Sequence, residues 1–263
     1  MSTKSYVGDI PINYDRGLGN VLFLPYAEEA AHRVAAANPM EVLEIAAGSG
    51  VATRALLDQL ASAARLTATD ISEDMLNVAR SKALDDERVS FKIVDACALP
   101  YEDESFDAIV CMFGFMFFPD KPRAIREAYR VLRNGGRYTF SVWDSEENNP
   151  YVSEALAVLQ SFFPNDPPQW IMQPTSCAVI GPIKKSLVDA GFDDIRISVL
   201  PYARPFDALA FARGIVFGSP VLNEVTERGG DLDEIAHAYG AALTRAVGST
   251  LPIQAIMLEA QKL

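Results

Sequence analysis

The sequence predicts an α/β protein: a doubly wound, mostly parallel seven-stranded sheet with a helical cap insertion. Two observations predict it. Short β-rich runs alternate with amphipathic stretches of helical period, the pattern of a parallel sheet covered on both faces. The first apolar run also ends in a small-residue turn, Ala46-Ala47-Gly48-Ser49-Gly50, that opens a helix. At 263 residues with 49% hydrophobic content, the chain can bury one large core without staples.

Taken in order, Val21 to Ala37 reads helical and Glu41 to Ala46 as a buried strand. Val51 to Ala61 gives a helix, Leu66 to Asp70 a second strand, and Glu73 to Ala83 a helix with Ser72 as N-cap. Val89 to Val94 and Ala108 to Phe113 are the third and fourth strands. Next come an arginine-rich helix, the turn Asn134-Gly135-Gly136, and a fifth strand from Arg137 to Val142. Prolines at 150, 164, 167, 168 and 174 punctuate an irregular excursion over 144–180. The pattern resumes with a helix from Ile183 to Ala190, stopped by Gly191, and a strand from Ile195 to Leu200. Phe206 to Val247 reads mainly helical, broken near Gly218-Ser219-Pro220 and Gly229-Gly230, before a final strand, Ile253 to Glu259. The expected organisation is therefore a core over 1–202, a helical cap over 203–249, and a last strand within 250–263 that returns to the core.

Composition narrows the function classes. A formal net charge of -12 repels polyanions, so nucleic acid is disfavoured as a partner. Arg123, Arg126, Arg130 and Arg133 would form a basic stripe on a helix, read as a solvated face opposite Ile125, Ala128, Tyr129 and Leu132. Cys97, Cys111 and Cys177 show no Cys-x-x-Cys spacing, and His32 and His237 are far apart, so no metal site is expected. The N-terminal residues carry no leader pattern and no apolar run is of bilayer length. A cytoplasmic protein without a membrane span is the expectation.

The chemistry concentrates around the first turn. Glycines at 48 and 50 let a ligand approach bare backbone at the positive end of a helix. Asp70 ends the second strand, where a doubly wound sheet sets it beside that turn and a carboxylate can accept both hydroxyls of a ribose. A nucleoside-containing ligand follows. Dinucleotide enzymes share this logic, but their third glycine is Thr53 here, and Glu44 would repel a pyrophosphate while suiting an ammonium and a sulfonium. A nicotinamide-dependent oxidoreductase is thus the alternative, and a non-catalytic cofactor-binding module of the same fold is a second one.

With these residues the sequence resembles class I S-adenosylmethionine-dependent methyltransferases, particularly the small-molecule group that includes the quinone-biosynthesis enzymes. The resemblance rests on Glu44 to Gly50, Asp70, Asp95-Ala96, Ser105 to Val110 and Val131 to Gly136, in the family's order. It implies a Rossmann-like methyltransferase fold, S-adenosyl-L-methionine as cofactor and S-adenosyl-L-homocysteine as product. By the same resemblance Glu44, Ala46, Gly48 and Gly50 line the methionine end and Asp70 binds the ribose. Ile71 and Met75 pack on adenine, Asp95 and Ala96 meet its amino side, and Phe113 borders the sulfonium and the acceptor. Glycine is common in the family where this chain has Ala46. Phe113 and alternate neighbours in the aromatic run to Phe118 are expected to face the ligand. The acceptor is expected to be small and largely apolar, held by Phe113, Trp170, Met172, Phe206, Phe211 and Phe217 under the excursion and the cap. The alternative for those two segments is a satellite core or a homodimer surface. The sequence marks no catalytic base, and it leaves open whether oxygen, nitrogen or carbon is methylated.

Overall fold

The computed structural model describes residues 8–82 and 86–263. Ala83, the last residue of one expected helix, and the start of the N-terminal stretch lie outside them. The chain opens with helix α1 (Ile10–Leu18), a π-helical turn (Gly19–Phe23) and α2 (Leu24–Ala35). There follow β1 (Glu41–Ile45), α3 (Val51–Gln59), β2 (Arg65–Asp70), α4 (Glu73–Lys82), β3 (Val89–Ile93), β4 (Phe106–Met112), α5 (Lys121–Val131) and β5 (Leu132–Trp143). The second half comprises α6 (Pro150–Phe162), α7 (Gly181–Ala190), β6 (Asp193–Pro205), α8 (Ala208–Gly218), α9 (Val221–Glu227), α10 (Leu232–Val247) and β7 (Thr250–Gln261).

The seven strands form one sheet in the order β3-β2-β1-β4-β5-β7-β6. The five from β3 to β5 run parallel, whereas β7 lies antiparallel between β5 and β6. Strand order reverses between β1 and β4, which opens a crevice at their carboxyl ends, where open α/β sheets bind ligands. Period-two alternation supplies both cores: Val42, Ala108 and Val110 pack with α2 and α3, while Leu43, Ile109 and Cys111 join the larger cluster with Tyr138 and Phe140.

Local chemistry sets the ends of the elements. Ser72 accepts the Met75 N–H at 3.3 Å as the expected cap of α4, and Gly191 ends α7 at φ +103°. Helices α8, α9 and α10 lie between β6 and β7, broken at the two glycine-bearing turns. Three expectations need correction. The helical N-terminus begins at Ile10, where Ile10, Tyr14 and Leu18 repeat at four-residue spacing and Pro11 stands in the first turn. The excursion after Trp143 holds a 13-residue helix, α6, whose Tyr151, Val152, Ala155 and Leu159 are buried. Arg133 lies on β5, paired with Asp107 at 2.7 Å, and Arg130 is held by Glu127 and Asp103 at 2.9 Å each, so the four arginines form no continuous stripe.

Candidate cofactor and acceptor site

A cleft of about 220 Å³ occupies the crevice at the carboxyl ends of β1, β2 and β4. Its floor is the turn after β1. Gly48 sits at φ +56°, and a Cβ there would meet no protein atom within 4 Å, so the bare backbone is open to a ligand. The Gly48 N–H donates to Asp70 Oδ2 at 2.8 Å, and Ser72 N–H donates to Oδ1 at 2.8 Å. These bonds orient the carboxylate and leave it acceptor capacity, since an ionised carboxylate offers about four lone-pair sites. Burial raises the Asp70 pKa against the lowering by those backbone donors.

Glu44 lies deeper. Its Oε2 accepts the Thr53 hydroxyl at 2.6 Å, and burial, with a smaller push from the Asp70 charge, raises its pKa to about 7. Asp95 Oδ1 accepts the Cys97 N–H at 2.8 Å at the end of β3. Glu44, Asp70 and Asp95 line the cleft, and no Lys, Arg or His does among the described residues. A buried carboxylate without a counter-charge, as Glu44 is, is costly, and the half-buried Asp70 and exposed Asp95 add to the negative field, so the set suits a ligand with a positive end and hydroxyls. The residues therefore fit an aminoacyl-nucleoside sulfonium and do not fit a pyrophosphate.

Nine of the ten expected cofactor residues line this cleft: Glu44, Ala46, Gly48, Asp70, Ile71, Met75, Asp95, Ala96 and Phe113. Gly50 does not. At φ +82° it stands before α3, and a Cβ on it would come within 2.8 Å of the Ala79 Cβ on α4, so its missing side chain serves helix packing. Ala46 and Phe113 both hold positive φ, +57° and +56°, at a cost of roughly 1–2 kcal/mol each. The methyl group at Ala46 has a local answer: a Cβ on Gly114 would lie 2.3 Å from the Ala46 Cβ, so a glycine on the neighbouring strand's exit makes room for it.

The expected acceptor residues separate. Phe113 stacks on Trp143 at 4.2 Å, and Trp170 stacks on Phe117 at 5.9 Å; all four line a second cavity that shares Tyr14, Phe23, Phe113 and Phe117 with the cleft. Met172, Phe206, Phe211 and Phe217 line neither cavity. Phe211 is buried against Tyr151 and Phe206, and Phe217 carries Arg213 over its ring at 4.7 Å. Alternation along the aromatic run also fails at Phe115, which the 3-10 turn Phe115–Phe117 rotates into the core against Phe140.

Residues absent from the sequence reading are Tyr14 and Phe23, brought over the cleft by α1 and the π-helical turn. The signal for Tyr14 is the four-residue repeat that marks α1. Asp15 fastens this helix to the site, accepting the Ser49 hydroxyl at 2.7 Å and pairing with Lys82 of α4. Burial and the nearby Asp70 and Asp15 charges raise the Tyr14 pKa, so its phenol stays protonated.

Residues 43–140 match a methyltransferase domain family model. Over 120 residues the chain is 38% identical to a ubiquinone/menaquinone biosynthesis C-methyltransferase of Hahella chejuensis, covering 44% of this chain and 48% of that one. The chain spans less than half the length of the curated relatives it matches. Among solved structures, the YcgJ protein of Bacillus subtilis matches 89% of this chain and 98% of its own at 19% identity, TM-score 0.59. A phosphoethanolamine N-methyltransferase 2 of Haemonchus contortus, in complex with phosphomonomethylethanolamine and S-adenosylhomocysteine, matches 85% of this chain and 48% of its own at 18% identity, TM-score 0.53. By sheet order, by the order of its motifs and by the match over residues 43–140, this chain has the class I S-adenosylmethionine-dependent methyltransferase fold and resembles the quinone-biosynthesis methyltransferases.

Proposed function

We propose that this chain transfers a methyl group from S-adenosylmethionine to a small, largely apolar organic acceptor. The observation that carries the reading is the charge of the cleft: among the described residues, three carboxylates and no cation, with open backbone at Gly48. When bound, the cofactor supplies a methyl group already activated by its sulfonium, leaving orientation and exclusion of water to the protein. Glu44 holds the ammonium end, and Asp70, aligned by the Gly48 and Ser72 N–H groups, accepts the ribose hydroxyls. Ile71 and Met75 pack on adenine, with Asp95 and Ala96 on its amino side. Phe113, fixed against Trp143, borders the reacting end and keeps the displacement in line. Trp170 contributes to the acceptor side. The relatives named for demethylmenaquinone methylation and for ubiquinone/menaquinone biosynthesis agree with an apolar acceptor.

Mass spectrometry of small molecules extracted from the purified chain tests this reading. An adenosine-bearing thioether or sulfonium is the expected species. A nicotinamide dinucleotide would overturn the assignment in favour of the oxidoreductase.

A further inference from the structure

The second cavity, about 30 Å³, opens off the cofactor cleft past Tyr14, Phe23, Phe113 and Phe117. By the measure on which one water needs about 10–15 Å³, it has room for roughly two, enough for the edge of one ring and too little for a fused system. Its walls are aromatic faces in stacked pairs: Phe113 on Trp143 at 22°, Phe117 on Trp170 at 6°, Tyr14 on Phe23 at 22°. A flat ring meets such walls by offset stacking or edge contact.

No carboxylate, amine, guanidinium, imidazole or thiol lines it among the described residues. The Ser219 hydroxyl is engaged twice, donating to the Ile215 carbonyl at 2.6 Å and accepting from the Val221 N–H at 3.3 Å. Burial raises the Tyr151 pKa well above its ordinary value, as it does for Tyr14, so both phenols stay protonated. An anion here would be desolvated without a counter-charge and would face the carboxylates of the adjoining cleft. A cation would be drawn to the ring faces but, with no counter-charge in the cavity, would be repelled by the sulfonium end of the bound cofactor.

We infer that this cavity is the acceptor subsite and that it selects an uncharged, flat, single-ring end of the acceptor. The inference rests on the methyltransferase reading. An electron pair of the acceptor forms the bond to the methyl carbon while the carbon–sulfur pair returns to sulfur, so the positive charge passes to the acceptor. Any proton then lost goes to water, since no side chain lining this cavity is ionised to take it.

The chain's two tryptophans, Trp143 and Trp170, both line this cavity and neither lines the cofactor cleft, so at a fixed saturating level of cofactor analogue a change in red-edge tryptophan emission reports on the cavity. Phenol, benzoate and benzylammonium, matched in ring size, are titrated at pH 7 with saturating sinefungin, a cofactor analogue whose amine carries a positive charge where the cofactor has its sulfonium. Phenol should change the emission saturably, and the two ions should bind at least tenfold more weakly. Leu22→Phe, or Ile215→Phe should the first not fold, fills the cavity and should weaken phenol at least tenfold while S-adenosylhomocysteine still binds by calorimetry. Either ion binding as tightly as phenol, no response to phenol, or unchanged phenol binding in the folded filled variant would overturn the inference. Phenol binding retained with no S-adenosylhomocysteine binding would instead sink the cofactor assignment and leave the apolar cavity standing.

Discussion

Lowering the pH should weaken cofactor binding through Glu44. Its folded pKa is about 7 against an ordinary value of 4.5, raised chiefly by burial. For an acid with a raised folded pKa, the empty protein loses stability as pH climbs from 4.5 through 7, because the unfolded chain ionises first. The shift corresponds to about 3 kcal/mol across that window, an order-of-magnitude figure for a buried group. A ligand ammonium beside Glu44 favours the ionised form, so binding below pH 7 releases close to one proton. Affinity for S-adenosylhomocysteine should then rise up to about tenfold per pH unit between pH 5 and 7 and level off above. Asp70, whose pKa is also raised, adds to the slope in the same direction. Isothermal calorimetry in two buffers of different ionisation enthalpy reads both the affinity and the proton count. Glu44→Gln should reduce the slope to the Asp70 share. A flat affinity in the native protein, with no proton release at pH 6, would refute the placement of Glu44 against a cation.

Two further substitutions separate ligand contacts from packing. Asp70→Ala should weaken S-adenosylhomocysteine by about 1.5–3 kcal/mol, the scale of hydrogen bonds to a charged group; unchanged calorimetric affinity in a folded variant would remove Asp70 from the site. Gly48→Val should abolish binding while circular dichroism still reports the sheet, because its branches enter the cleft, whereas Gly50→Ala should lower Tm through the clash with Ala79. Equal effects of the two glycine variants on binding and on Tm would contradict the division of roles.

Much of the sheet was legible because its signals are local. Strands β1 and β4 are short apolar runs buried almost throughout, and Ser72 and Gly191 act where their side chains, or lack of one, dictate. The cleft was legible for the same reason: Glu44, Gly48, Asp70 and Asp95 sit at strand ends whose positions the topology fixes. The acceptor side was not. Phe211 and Phe217 look like pocket residues by size, but the direction of a helical side chain depends on what the helix packs against, and α8 packs on α1. Gly17 and Gly214 show the closeness, since a Cβ on Gly17 would fall 2.4 Å from the Gly214 Cα. That contact joins residues distant in sequence and carries Tyr14 over the cleft, which no local pattern specifies. Gly114 escaped notice likewise, its role appearing only once the Ala46 methyl is placed beside it.

The central claim is that the crevice between β1 and β4 takes an S-adenosyl ligand through Gly48 and its three carboxylates. Calorimetric titration of the purified chain with S-adenosylhomocysteine, repeated in the presence of NADH, tests it most directly. One-to-one binding that NADH leaves unchanged is the predicted result. Absence of S-adenosylhomocysteine binding to the folded chain, or its displacement by NADH, would contradict the account.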